Sequence, residues 1–183
     1  MAVTGSALNF TNHINNNVWI GNGQGALSEL PGKVCIQGNP GFGLGTSEHF
    51  SLQWHSQTTT NSATESYLNY STNTKRAVLP NNTTWSYRVT ISAVQYAGSS
   101  GTVGDSSVWV YEGAIKRVAN AASTVLLGTM SSPTGSPWQD AAASAWTAVL
   151  TADTTNGALK LTVTGETNKS IRWHAAGTFV SIK

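Results

Sequence analysis

Six stretches of the chain alternate apolar and polar residues with a period of two. In the longest, Trp85, Tyr87, Val89, Ile91 and Ala93 fall on one side and Ser86, Arg88, Thr90 and Ser92 on the other. Phe50, Leu52 and Trp54 alternate with His49, Ser51 and Gln53, and Trp109, Tyr111, Gly113 and Ile115 form the inward set of 108–118. Near the C-terminal end, Trp146, Ala148, Leu150 and Ala152 make a fourth apolar row, Leu159, Leu161 and Val163 a fifth, and Ile171, Trp173 and Ala175 a sixth. Successive side chains of a strand point to opposite faces, so each run predicts a strand with one buried and one mostly polar face. Val18–Ile20, Lys33–Gln37, Tyr67–Tyr70 and Thr124–Gly128 are shorter strand candidates, and Ala26–Leu30 has room for one helical turn. Leu79-Pro80-Asn81-Asn82, Gly98–Gly101 and Gly104-Asp105 are turn signals. Asp153–Gly157 and Gly165–Lys169 have hairpin chemistry, because Asn and Gly tolerate positive φ. The last three runs therefore predict an antiparallel meander.

Roughly ten short strands separated by turns predict an all-β fold, an antiparallel β-sandwich or jelly-roll-like, over residues 75–183. Residues 1–74 are richer in Asn and Gly. They are expected to form an irregular N-terminal segment with short strands that serves as an interaction arm.

Composition sharpens this picture. Of the 183 residues 39% are hydrophobic, with seven Trp, which is enough for a sandwich core. Only 10% are charged, against about 25% in an ordinary soluble domain, so the surface is built of Thr, Ser and Asn. Such surfaces suit sheets buried in assemblies and viral shells. The net charge of +2 is spread thinly, and Lys75-Arg76 and Lys116-Arg117 are the only adjacent basic pairs, so nucleic acid is not an expected partner. The single Cys35, between Val34 and Ile36, allows no intrachain disulfide and reads as a small buried residue. No apolar run approaches the roughly 20 residues of a membrane span. The first residues lack the basic and apolar regions of a signal peptide, so synthesis in a host cytoplasm without export is expected.

The residues that carry chemistry point away from an enzyme. No Gly-x-Ser-x-Gly elbow occurs, and Gly41-x-Gly43-x-Gly45 lacks the Lys-Ser/Thr of a phosphate loop, so no cofactor is expected. Among His13, His49, His55 and His174, the even spacing of His49 and His55 would place both on one strand face. No Cys pair or His-Glu-x-x-His supports a metal, and they read as surface or interface histidines. The acids Glu29, Glu48, Glu65, Asp105, Glu112, Asp140, Asp153 and Glu166 show no pair placed as glycoside hydrolysis requires; Asp105 and Asp153 read as turn residues. Five tryptophans, Trp54, Trp85, Trp109, Trp146 and Trp173, lie on apolar faces and are core candidates. Trp19 and Trp138 lie near Gly/Asn/Pro-rich loops and are interface candidates. The polar side of the meander, with Lys160, Thr162, Arg172 and His174, completes the candidate interface.

Several of these segments also share an order. A Trp-led strand at Trp85 is followed by Glu112-Gly113-Ala114-Ile115-Lys116-Arg117, Leu126-Leu127-Gly128, the Asp153–Gly157 turn, Val163-Thr164-Gly165 and Ile171-Arg172-Trp173. Over roughly residues 78–182 this resembles a β-module found among bacteriophage and prophage virion proteins of heads and tails. His174-Ala175 stands where that pattern usually has Val-Ala. The resemblance implies a structural or attachment role in a virion and does not choose between head and tail. The short chain, without a repetitive or coiled-coil fibre shaft, and its Asn/Gly-rich N-terminal segment point most concretely to a non-enzymatic capsid cement or decoration protein. It would bind the major capsid protein or another virion protein on the shell exterior, as a homotrimer at a three-fold axis. The alternative it leaves is a tail-fibre receptor- or carbohydrate-binding module, with Trp19, Trp138 and Tyr70 as stacking residues. A small hydrolase is the third reading.

Overall fold

The computed structural model describes residues 47–68, 75–131 and 137–183, together with the backbone of two short strands at 18–20 and 34–37. The regular structure of the described residues is almost all strand, with two single 3-10 turns at Ala121–Ser123 and Ala141–Ala143. The strands are β1 (Val18–Ile20), β2 (Val34–Gln37), β3 (Ser47–Thr58), β4 (Ala63–Ser66), β5 (Ala77–Val78), β6 (Thr83–Gly98), β7 (Ser106–Arg117), β8 (Val125–Ser131), β9 (Trp138–Gln139), β10 (Thr147–Asp153), β11 (Ala158–Thr164) and β12 (Lys169–Ile182). They form two sheets. The larger has the order β1-β2-β3-β12-β6-β7-β8, with β9 alongside β7; the smaller has the order β10-β11-β4, with β5 also on β11. Every pairing is antiparallel except β1 with β2.

The core lies between the sheets. The large sheet contributes Phe50, Leu52, Trp54, Trp85, Val89, Ile91, Trp109, Trp173 and Phe179, and the small sheet Leu150, Leu159, Leu161 and Val163. All five tryptophans expected in the core are there, none more than 5% exposed. The Trp173 indole is stacked on Trp109 (centroids 5.6 Å apart) and lies 6.1 Å from Trp146. Its N–H donates to the Thr58 hydroxyl at 2.9 Å, so the one polar atom of this buried ring is satisfied. The Tyr111 hydroxyl donates to the Ala148 carbonyl at 2.6 Å and ties one sheet to the other.

Two expectations need correction. First, the C-terminal runs are not a three-stranded meander. β10 and β11 form the expected hairpin, whose turn is held by Asp153 accepting the N–H groups of Thr155 and Asn156, both at 3.0 Å. The chain then passes through Gly165–Asn168 to the opposite sheet, where β12 lies between β3 and β6. Asn168, at φ 67°, supplies a turn that serves an arch between sheets as well as a hairpin. Alternation names the buried face of a strand and not its neighbour. β12 also runs to Ile182, well past the expected Ala175, with Phe179 buried on the same face.

Second, the division at residue 74 does not separate an arm from a sandwich. β3 pairs with β12 along twelve residues, and β4 belongs to the small sheet. Residues 47–66 are thus part of the sandwich. The proposed Ala26–Leu30 turn, Cys35's side chain, His13 and Tyr70 lie outside the residues whose conformation or side chains are described.

Candidate interface on the large sheet

The inner face of the large sheet is buried, so its outer face carries the alternate residues of β3, β12, β6 and β7. Register sorts them into rows. His55, His174, Ser92 and Val108 are cross-strand neighbours, and Trp138 of β9 extends this row beyond Val108. The next row is Gln57, Arg172, Val94 and Ser106. Directly opposed residues share a face, so these side chains converge on one patch. It forms an open depression of about 490 Å³.

A β-bulge lies behind Arg172, one of the residues that line the depression. Ser170 pairs with Ala97 and Ile171 with Gln95, which leaves Tyr96 as the extra residue on β6. A bulge re-aims a side chain, and here the Tyr96 ring lies 4.2 Å beneath the Arg172 guanidinium carbon. The Tyr96 hydroxyl donates to Gln57 Oε1 at 3.2 Å. The two imidazoles of His55 and His174 sit 4.8 Å apart in a tilted contact. No carboxylate lines the depression. The acid nearest its rim, Asp140, accepts the Ser106 N–H at 2.8 Å and hydroxyl at 3.1 Å. The lining therefore carries the positive charge of Arg172 over an aliphatic floor of Val94 and Val108.

Burial, and secondarily the charge on His174, hold His55 below the ordinary imidazole pKa of 6.5. The folded chain thus binds this proton less readily than the unfolded chain, so the contribution to stability is complete above pH 6.5 and is lost as pH falls through the lowered folded value. In His174→Gln one of the two causes is gone. Between pH 7.5 and pH 5 its melting temperature should fall less than the wild type's, by about 1–3 °C. Equal falls in the two proteins would show that the imidazoles are not coupled.

The same face continues toward the other end of the sheet. There Arg88 and Glu112 pair at 3.1 Å beside a second depression of about 380 Å³. Beyond this pair, Val180 and Leu127 lie in the His49–Val180–Ser86–Ala114–Leu127 row, and Ile182 and Val125 in the row after it. These four aliphatics are 42–59% exposed and make two apolar pairs at the sheet end, Val180 with Ile182 on β12 and Leu127 with Val125 on β8, parted by Ser86 and Thr84 of β6 and Ala114 and Lys116 of β7.

The residues singled out from sequence are thus divided. Arg172 and His174 meet in the depression, and Trp138, 54% exposed, stands at its rim. Lys160 and Thr162 lie on β11, on the outer side of the opposite sheet. Lys160 there faces Glu65 at 3.9 Å, and Glu65 is also paired with Arg76 at 2.8 Å. The arch into β12 is what parts the two pairs. Trp19 lies in β1, and its side chain is outside the described residues. Sequence reasoning missed Gln57 and Tyr96. The only trace of Tyr96 is the loss of alternation after Val94, where Gln95 turns inward and is buried.

The acids are occupied structurally. Glu65, Glu112 and Glu166 face cations, and Asp105, Asp140 and Asp153 accept backbone N–H groups. Asp105 and Asp153 have the turn roles expected of them. Burial alone would raise the Asp153 pKa, but bonds from Asn156 and Thr155 and the nearby Arg76 hold it below the usual carboxylate range. Among the described residues no group of three or more His, Cys, Asp or Glu is placed to hold a metal, and no helix is long and apolar enough to cross a membrane. No family model, curated protein or solved structure matches this chain.

Proposed function

We propose that this chain is a non-enzymatic structural protein of a bacteriophage virion, a capsid cement that binds the assembled shell from outside as a homotrimer. The observation that carries this reading is the exposure of two aliphatic pairs, Val180 with Ile182 and Val125 with Leu127, at one end of the outer face of the large sheet. Two exposed aliphatic pairs at one end of a sheet face offer a surface for burial against a partner. The 10% charge content supports the same reading, since Thr, Ser and Asn surfaces desolvate at lower cost than charged ones. The sequence pattern that resembles phage β-modules supports a virion partner, which for a cement is the major capsid protein. A cement acts by mass action: it binds the assembled lattice and not loose subunits, and so stabilises the lattice.

Virions stripped of the chain should lose infectivity at a temperature several degrees lower than intact ones, and added purified chain should restore the difference. The double variant Val180→Asp, Ile182→Asp should fold and fail to restore it. Stripped particles with unchanged heat and osmotic resistance would contradict the cement role.

A tail-fibre receptor-binding module is the second reading. The depression beside Trp138 favours it, because an exposed indole next to an open polar hollow suits a sugar ring.

A further inference from the structure

We propose that the depression on the large sheet binds a carboxylate-bearing sugar, a hexuronate or a sialic-type residue, with Arg172 taking the carboxylate and His174 and His55 beside it. The inference does not depend on whether the protein sits on head or tail. Charge is the first argument. The Arg172 guanidinium faces the hollow with no acid among its lining, and among the described residues Arg172 makes no ion pair; the two imidazoles beside it add hydrogen-bonding nitrogens. An anion is the complement of that surface.

The geometry of Arg172 is the second argument. Tyr96 covers one face of the guanidinium at 4.2 Å, and the bulge holds Tyr96 there while its hydroxyl is tied to Gln57. A stacked guanidinium keeps its N–H donors in a fixed plane, the arrangement that grips a carboxylate through two parallel bonds. Little side-chain freedom remains to be lost when the ligand arrives.

The remaining lining selects the rest of the ligand. A protein carboxylate would fill only the Arg172 corner of a hollow of about 490 Å³, a size within the range of small-ligand sites. The two rows lie about 7 Å apart along the strands, and neighbouring strands are about 4.8 Å apart, so a single pyranose ring spans adjacent rows. Val94 and Val108 offer an apolar floor to its C–H face, while Ser92, Ser106 and Gln57 offer hydroxyl and amide groups to its hydroxyls. This mixture matches a polyhydroxylated ring better than a peptide.

The test is a calorimetric titration of the full chain with four probes: trigalacturonic acid, N-acetylneuraminic acid, the neutral trisaccharide galactotriose, and glutarate. At least one acidic sugar should bind, and galactotriose and glutarate should bind at least tenfold more weakly. Arg172→Gln, an exposed substitution that leaves the core intact, should weaken acidic-sugar binding about tenfold or more with an unchanged melting curve. Tyr96→Leu should weaken it several-fold through loss of the stacked guanidinium. The proposal is overturned by silence from both acidic sugars, by galactotriose binding as tightly, or by Arg172→Gln binding unchanged. Glutarate binding as tightly as the sugars would also overturn it, by assigning the site to acidic side chains of a protein.

Discussion

Trp173→Ala should strip about 3–5 kcal/mol from the stability of the fold. Trp173 is 3% exposed, lies on the central strand of the large sheet, and touches Trp109 from the same sheet and Trp146 from the segment leading into the other. Its removal empties a cavity at the junction of the two layers and leaves the Thr58 hydroxyl without its donor. Truncation of a buried Trp costs about 3–5 kcal/mol, against a total stability of about 5–15 kcal/mol for a domain. Trp173→Phe keeps most of the ring contacts and loses the hydrogen bond, a loss of about 1–3 kcal/mol, and should fold. Urea midpoints give the comparison, since a change of midpoint at constant slope reports stability alone. Near-equal midpoints for wild type and Trp173→Ala would mean that the sheets do not pack through this residue.

The second large effect is expected where β6 ends. Gly98 has φ +137°, and a Cβ there would be driven into the Asn168 carbonyl oxygen and to within 2.9 Å of Lys169 Cα. Both obstacles are backbone. The Asn168 carbonyl also accepts the N–H groups of Ser99 at 2.9 Å and Ser100 at 3.3 Å, so it cannot move aside without losing both. Next to it Lys169, buried, donates to the Ala142 carbonyl at 2.6 Å and to Glu166 at 2.7 Å. Gly98→Val should therefore cost about 3 kcal/mol or more, from backbone strain and overpacking together. Gly104 is the control. It has φ +104° with open space around its Cβ position, so Gly104→Ala bears strain alone, about 1–2 kcal/mol. Equal losses at the two positions would show that steric closure around Asn168 does not matter.

The strands and the core were legible because their signals are local. Period-two alternation placed β3, β6, β7, β10 and β11 with their buried faces correct, and Trp54, Trp85, Trp109, Trp146 and Trp173 marked the core. Pairing was less legible. Nothing in Ile171-Arg172-Trp173 says that the strand leaves β11 for a place between β3 and β6, because turns rich in Gly and Asn serve hairpins and arches alike. That single choice split the candidate interface, sending Arg172 and His174 to one side of the sandwich and leaving Lys160 and Thr162 on the other. The depression itself joins residues distant in sequence. His55 meets His174 through the β3–β12 register, and Tyr96 meets Arg172 through a one-residue bulge that costs no recognisable motif.

The exposed aliphatic pairs and the Arg172 hollow occupy opposite ends of one sheet face, so cement and sugar ligand need not compete for the same surface. A cement molecule would rest its Val180–Ile182 end on the shell and leave the Arg172 end open to solvent. The virion assignment is the claim on which this arrangement rests. Its most direct measurement is the number of copies of the chain in purified phage particles. The account predicts copies on the order of hundreds per particle, as repetition over a closed symmetric shell demands. A count of a dozen or fewer, or its absence from the particles, would contradict it.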